Sequence, residues 1–408
     1  MTLASRKHIL IIGGNFAGLS TARALSSKYF DVTVIDPSTD FEWLPHIHEL
    51  ISRHKKADQL RHNRQLLIER AGHTFLQETV TVIDKTQQRV QLSSGQWLAY
   101  DDLVITIGNM SLIDKIKGAR QYALPFGSVN EAERAALQLQ RLDSLSLPER
   151  PVVLVGASIE GLEVLGEIIR RYRRQWRFQL HVIEAQETIM PQFQGMSDYL
   201  KELSRELNIQ WHTGRQVKEV TKDSVILDNG DILSSRVTLW CAGAIPHPLL
   251  SEAGLAPERQ YAPVNANLQS LVDEHIWLAG DAAAFPTSLE KQAYHALPMG
   301  ALIAKNLNRA RQKRDLNNFK PLPIPSLMSF GDVGFLLFKS HALASPSLIA
   351  AKEGVFQANF NLLKLPRQVS EWHDLKDSLT FSAINMGKLA KSTWIDGKLL
   401  HTRHFQAR

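Results

Sequence analysis

Apolar and polar positions follow the same design twice along the chain. KHILIIGGNFAGLSTARALSS (7–27) runs as an apolar strand, a glycine turn and a helix, and the strand DVTVID (31–36) follows. RPVVLVGASIEGLEVLGEIIRRYRRQW (150–176) repeats the order, with LHVIEA (180–185) behind it. Each predicts a β-α-β unit of a doubly wound parallel sheet. Shorter alternating strands come after each unit, turning at Ser93-Ser94-Gly95 in the first and at Asn229-Gly230 in the second. HIWLAGDAAAF (275–285) supplies one more strand ending in an acid, so the second unit is predicted to be inserted in the first. The expected fold is α/β: two Rossmann-like nucleotide-binding domains and a smaller C-terminal region. Residues 1–113 and 246–322 form the first domain, 114–245 the second, and 323–408 the C-terminal part. Helices are expected over 291–308 and over 345–365, between Pro346 and Pro366, and a hairpin at Asp396-Gly397.

A 408-residue chain that is 44% apolar and 22% charged is large enough for such domains and is not disordered by composition. Its N-terminus enters a strand directly, without a secretory apolar segment, and no window reaches the roughly 18 apolar residues of a spanning helix. Cytoplasmic residence is the expectation. The single cysteine, Cys241, excludes an internal disulfide and a cysteine-rich metal site, and its strand-like setting predicts a buried structural thiol.

The net charge of +6 is uneven: residues 301–408 hold 16 Lys and Arg against 7 Asp and Glu, and the first 300 hold 31 against 34. A basic tail suggests an anionic partner, with a membrane surface favoured over nucleic acid. The arginines at 170, 171, 173 and 174 are read differently, as the basic end of a helix whose early turns hold Glu160, Glu163 and Glu167.

The glycine turns carry the chemistry. In G-x-G-x-x-G the first glycine makes the tight turn, the second admits a pyrophosphate and the third lets helix and strand pack. Gly13 and Gly18 fill the first and third places, with Asn15 in the second; in the repeat these are Gly156, Gly161 and Ser158. Gly14, Phe16 and Ala17, and likewise Ile159 and Glu160, belong to the same two turns, and Asn15 and Ser158 are expected to reach a phosphate directly. Asp36 and Glu184 end the next strands, placed to accept from ribose hydroxyls. An acid at the second site favours NADH and leaves NADPH open. Asp281 ends a later strand, where a carboxylate can accept from a ribityl hydroxyl.

GGNFAGL, VITIGN, GASIEGLEVLGE, LWCAGAIP and LAGDAAAF occur in this order over about 300 residues. The set resembles the two-dinucleotide-binding-domain flavoproteins of the pyridine nucleotide-disulfide oxidoreductase kind. They include type II NADH:quinone oxidoreductases, sulfide:quinone oxidoreductases, ferredoxin-type reductases and apoptosis-inducing-factor-like quinone reductases. The resemblance implies a glutathione-reductase-like fold, FAD on Gly13, Gly18, Asp36 and Asp281, and NAD(H) on Gly156, Gly161 and Glu184. Thr106, Gly108, Gly243 and Gly280 lie in the shared motifs and are expected beside the cofactors, and Glu163 matches a glutamate that approaches the nicotinamide. KQAYHALPMGALIAKNL resembles the flavin-adjacent helix of quinone-reducing relatives, with Met299 near the place of a glutamine.

DFEWLPHIHEL (40–50) has Trp43, Leu44 and Pro45 where relatives using sulfur chemistry carry cysteines. Disulfide, sulfide and peroxide reduction all need a thiolate, so they are disfavoured. The expected function is an FAD-dependent NAD(P)H oxidoreductase that passes electrons from the flavin to a quinone-like acceptor. The alternatives are a reductase of a small iron–sulfur protein or of a specific small molecule, and a signalling flavoprotein with NADH-controlled partner binding. His46 is the candidate to donate to a quinone oxygen, with His48 as its rival and a satisfied structural histidine as the favoured alternative, and no metal site is expected. Phe335, Leu336, Leu337, Phe338, Phe356, Phe360, Leu362 and Leu363 are candidates to insert at the cytoplasmic membrane face. The alternative is that they pack on the body or in a homodimer interface.

Overall fold

The computed structural model describes residues 6–363 apart from 208, 288, 290, 322 and 340, together with the backbone of 403–406. In chain order, the elements that position the site begin with β1 (Lys7–Ile12), α1 (Phe16–Ala24), β2 (Phe30–Ile35), α2 (Glu49–Ser52), β3 (Thr74–Leu76) and β4 (Asp102–Ile105). Then come β5 (Ala123–Pro125), β6 (Pro151–Val155), α3 (Ile159–Tyr172), β7 (Gln179–Glu184), β8 (Gln210–Thr213) and β9 (Val237–Trp240). The last are β10 (Ile276–Leu278), α4 (Ala293–Arg311), β11 (Ser326–Phe330), β12 (Val333–Phe338), β13 (His341–Ser345), α5 (Ser347–Leu362) and β14 (Arg403–Gln406).

Two five-stranded sheets share one plan. The first has the order β10-β4-β1-β2-β3 and the second β5-β9-β6-β7-β8, with every neighbour parallel. In each, the strand that enters the glycine turn is central and the strand ending in the acid lies beside it. Central parallel strands are covered on both faces, which is why β6 is buried at all five positions. The outer strand of the first sheet, β10, follows the whole second sheet in the chain; that is the insertion expected from the sequence.

β11, β12, β13 and β14 form an antiparallel sheet, and α5 packs against it. α3 meets the β11–β12 turn backbone to backbone: a Cβ on Gly166 would lie 2.3 Å from the Gly331 nitrogen. Of the residues named for membrane insertion, Phe335, Leu337, Phe356 and Phe360 are buried, Leu336 and Leu363 are half-buried and Phe338 is at the edge of exposure. The α5 face therefore packs on the body, because aromatic residues of the first domain offer it a partner. The Leu362 side chain and the Asp396-Gly397 hairpin lie outside the described residues. Among the described residues no helix is long and apolar enough to cross a membrane.

Candidate active site

The two glycine turns are near copies. Gly13 has φ +93° and Gly156 φ +97°, a region that side chains disfavour. A Cβ on Gly18 would lie 1.9 Å from the Gly13 oxygen, and one on Gly161 1.9 Å from the Gly156 oxygen. Asp36 accepts from the Gly14 amide at 2.7 Å and the Ser38 amide at 2.8 Å. Glu184 does the same with Ala157 at 2.8 Å and Gln186 at 3.0 Å. Neither Asn15 nor Ser158, the residues preceding α1 and α3, caps its helix through its side chain. First-turn amides are thus left for an anion, and both turns fit a dinucleotide diphosphate.

Asn15 departs from expectation. Its side chain exchanges two 3.3 Å hydrogen bonds with the Glu42 backbone, so it ties down the segment leading to Trp43 instead of presenting itself to a phosphate. Ser158 and Glu160 are exposed at the start of α3 and Ile159 is half-buried, while Phe16 and Ala17 are buried packing residues of α1. Thr106 braces the first turn by donating to the Gly13 oxygen at 2.7 Å, and Gly108 and Gly243 turn the chain after β4 and β9 with φ +70° and +69°. Arg64, which no sequence signal singled out, donates to the Gly14 oxygen at 3.1 Å, to Asp36 and to the Ser38 oxygen. It holds the Asp36 carboxylate in place across the first cradle.

α4 brings the third motif to the same place. A Cβ on Gly300 would lie 2.1 Å from the Ala17 oxygen, and Thr21 donates to the Gly300 oxygen at 2.9 Å. Beside this contact lies a cavity of about 190 Å³ lined by Gly280, Asp281, Lys291, His295 and Met299 among others. Asp281 accepts from Asn109 Nδ2 at 2.7 Å; burial pushes its carboxyl up, and Lys291 opposes the shift.

The residues expected to act chemically meet where α2, α3, β11 and α5 converge. Glu163, on α3, is buried. It accepts from Lys352 Nζ, from the Ser329 amide at 3.0 Å and from the Ser329 hydroxyl at 3.5 Å. His48 Nδ1 lies 3.3 Å from its other oxygen, and His48 Nε2 faces Lys352 Nζ and the Ser329 hydroxyl, each at 3.1 Å. Because the Lys352 ammonium can only donate, His48 Nε2 accepts and Nδ1–H points at Glu163. Burial raises the Glu163 carboxyl, with Lys352 pulling the other way. Burial, then Lys352, lowers both His46 and His48 well below the ordinary histidine value, so both are neutral. The sequence reading of Glu163 and Glu167 as dipole-compensating charges is therefore corrected: both carboxyls are buried.

His46 Nδ1 accepts from the Trp43 indole N–H at 3.2 Å, which leaves the imidazole proton on Nε2. That N–H is buried beside Phe356 and has no hydrogen-bond partner among the described residues. Ligand atoms of His46, Glu49 and Glu353 lie within 4.8 Å of one another. The Lys55 ammonium, 2.7 Å from Glu353 and 3.5 Å from Glu49, already supplies the cation there, and a protonated Nε2 offers a metal no lone pair. Lys352, Ser329 and Arg64 were missed in the sequence. Lys352 had a readable signal: Leu348, Val355, Phe356 and Phe360 form one helical stripe, and Lys352 sits in its middle.

A family model described as pyridine nucleotide-disulphide oxidoreductase matches residues 7–300. The chain is similar to demethylphylloquinone reductase NdbB of Synechocystis sp., 24% identical in a 376-position alignment that covers 87% of this chain and 93% of that protein. It is also similar to the type II NADH:quinone oxidoreductase of Staphylococcus saprophyticus, at 21% identity over 80% of this chain and 88% of that one. Among solved structures, NDH2 from Plasmodium falciparum in complex with NADH superposes with a TM-score of 0.79 at 17% identity, covering 92% of this chain and 98% of that one. The sulfide:quinone oxidoreductase from Aquifex aeolicus follows the same fold with a TM-score of 0.71 at 20% identity, covering 81% and 83%. With 294 of its 408 residues matched in one run and both glycine cradles formed, the chain belongs to the pyridine nucleotide-disulphide oxidoreductase family.

Proposed function

We propose that the protein is an FAD-dependent NAD(P)H oxidoreductase that delivers two electrons to a quinone. The observation that carries this is the union of two diphosphate cradles with a buried proton-bearing cluster, Glu163, His48 and Lys352, in a chain whose single cysteine lies elsewhere, buried after β9. Held there, FAD would supply hydride acceptance from a nicotinamide and electron return to the acceptor, chemistry that belongs to the cofactor.

The chain supplies position and protons. Gly13, Gly14, Gly18 and Asp36 hold FAD at one end, with Asp281 and Met299 at the other. Gly156, Ser158, Gly161 and Glu184 hold NADH, and the Glu184 carboxylate, fixed by its two amide hydrogen bonds, repels a 2′-phosphate. His46 Nε2–H is a fixed donor for an acceptor oxygen. Glu163, Lys352 and His48 hold the protons that oxygen takes up, and Phe356, Phe360 and Trp43 exclude water around them.

In the proposed division, residues 1–113 and 246–322 bind FAD, 114–245 bind NADH and 323–408 cover the acceptor side. The charge excess of residues 301–408 supports contact with an anionic membrane surface, where a lipid-soluble quinone is found. The test is anaerobic: the purified protein is yellow, NADH bleaches it, and a short-chain quinone restores the colour. A preparation that takes up no FAD overturns the reading.

A further inference from the structure

Reducing a quinone with NADH consumes one proton from water besides the hydride, and the Glu163 cluster is buried. We infer that Glu167 carries that proton from the surface to the Glu163–His48–Lys352 cluster, an inference that rests on the function proposed above.

Glu167 lies one helical turn after Glu163 on the same face of α3 and is 0% exposed. Its Oε1 accepts from Arg170 Nη1 at 2.7 Å, and Oε2 has no hydrogen-bond partner among the described residues. A carboxylate oxygen left bare in such a place disfavours the anion, and a proton removes the cost. Burial pushes Glu167 up to about 7, opposed first by Arg170 and then by the Ser52 hydroxyl, which lies near the carboxyl but outside hydrogen-bond geometry and donates to the Glu49 backbone oxygen; Glu167 therefore exchanges its proton at neutral pH.

Both ends of the route are on the molecule. Outward, Arg170 also binds the Gly331 oxygen and reaches Asp332 Oδ1 at 3.2 Å; the Asp332 side chain is 52% exposed. Inward, Glu49 at α2 and Lys352 on α5 both act on Glu167, and both act likewise on Glu163, one turn earlier on the same helix. Glu49 acts on both Glu163 and Glu167, and its Oε2 also lacks a hydrogen-bond partner, with Lys55 at 3.5 Å.

The transfers balance. The cluster gives a proton to the reduced acceptor oxygen, protonated Glu167 gives its own to Glu163, and Glu167 recovers one from a water molecule entering past the Arg170–Asp332 edge, the guanidinium staying charged throughout. No oxidant is needed beyond the acceptor.

E167Q keeps the size of the side chain and the oxygen that Arg170 binds, and removes the proton. Expected are unchanged anaerobic bleaching by NADH, quinone-dependent turnover at least ~10-fold lower, and loss of the inflection near pH 7. E167D is expected to restore part of the rate. A second reading is thermal. A carboxyl raised in the folded state contributes stability below its unfolded value of 4.5 that is lost as pH rises towards about 7, so the wild type loses melting temperature across that window relative to E167Q. In wild-type protein, an infrared carboxylic-acid band disappears near pH 7, whether or not the variant folds. Turnover of E167Q within twofold of wild type across pH 6–9, or the absence of that band, overturns the inference. Failure of NADH to bleach wild-type protein instead overturns the proposed function.

Discussion

Lys352 and Glu163 form a buried ion pair across 189 residues of sequence, joining α5 to the helix that opens the second glycine cradle. Burial makes the pair costly to break from one side. K352M is expected to lower stability by ~3–5 kcal/mol, because it leaves a carboxylate in an apolar setting. Adding E163Q should recover most of that loss, and urea unfolding of the two singles and the double measures the coupling.

The single proton on His46 Nε2 gives a second expectation. H46F removes that donor while keeping an aromatic ring beside Phe356. The quinone KM should rise about tenfold, the loss of one buried hydrogen bond to substrate, with flavin bleaching by NADH unchanged. Steady-state kinetics with a water-soluble quinone, set beside anaerobic stopped-flow, separates the two.

His46 and His48 also set an acid limit. Their values are depressed in the folded state by burial, so the unfolded chain binds more protons once pH falls below about 6.5. Their contribution to stability is complete above that value and declines below it. Melting temperature should fall more steeply from pH 6.5 to 5 in the wild type than in a H46F/H48Q double variant.

At the second cradle, G161A sets a Cβ 1.9 Å from the Gly156 oxygen, a contact no rotamer relieves. NADH affinity should drop at least ~10-fold as α3 is pushed from its strand, while FAD content stays at one per chain. Isothermal titration and the absorbance ratio of the flavin to protein bands report these separately.

Glu184 gives the coenzyme preference. E184S removes the charge that faces a 2′-phosphate, and Arg215, whose amide binds the Glu184 backbone oxygen at 3.1 Å, is close by. The NADH to NADPH ratio of kcat/KM should fall by about 10-fold or more, as expected for losing one charge–charge repulsion of ~1.4 kcal/mol.

Much of this architecture was legible because it is local. A strand, a glycine and a helix lie within twenty residues, and an acid at the next strand's end completes the pattern; Gly13, Asp36, Gly156 and Glu184 all sit as that pattern predicts. What failed depends on contacts distant in sequence. Asn15 is claimed by Glu42, and Glu163 turned inward because Ser329 and Lys352 come to meet it. Glu167 is inward too, and an acid early in a helix looks the same from sequence whether it faces water or a buried lysine. The α5 stripe had two physically sound readings, lipid or protein. Trp43, with Phe356 at 5.8 Å and Phe360 at 6.0 Å, supplies the protein partner.

The position of β10 also dictates an order of assembly. Its residues 276–278 pair with 103–105, so the N-terminal sheet lacks a border strand until the ribosome has made everything between them. The intervening sheet is complete at Trp240 and can close on itself first. A gene rearranged to begin after the inserted unit and to end with it would therefore make the outer sheet in one stretch. Comparing its refolding rate with that of the native order measures how long the unfinished edge has to wait.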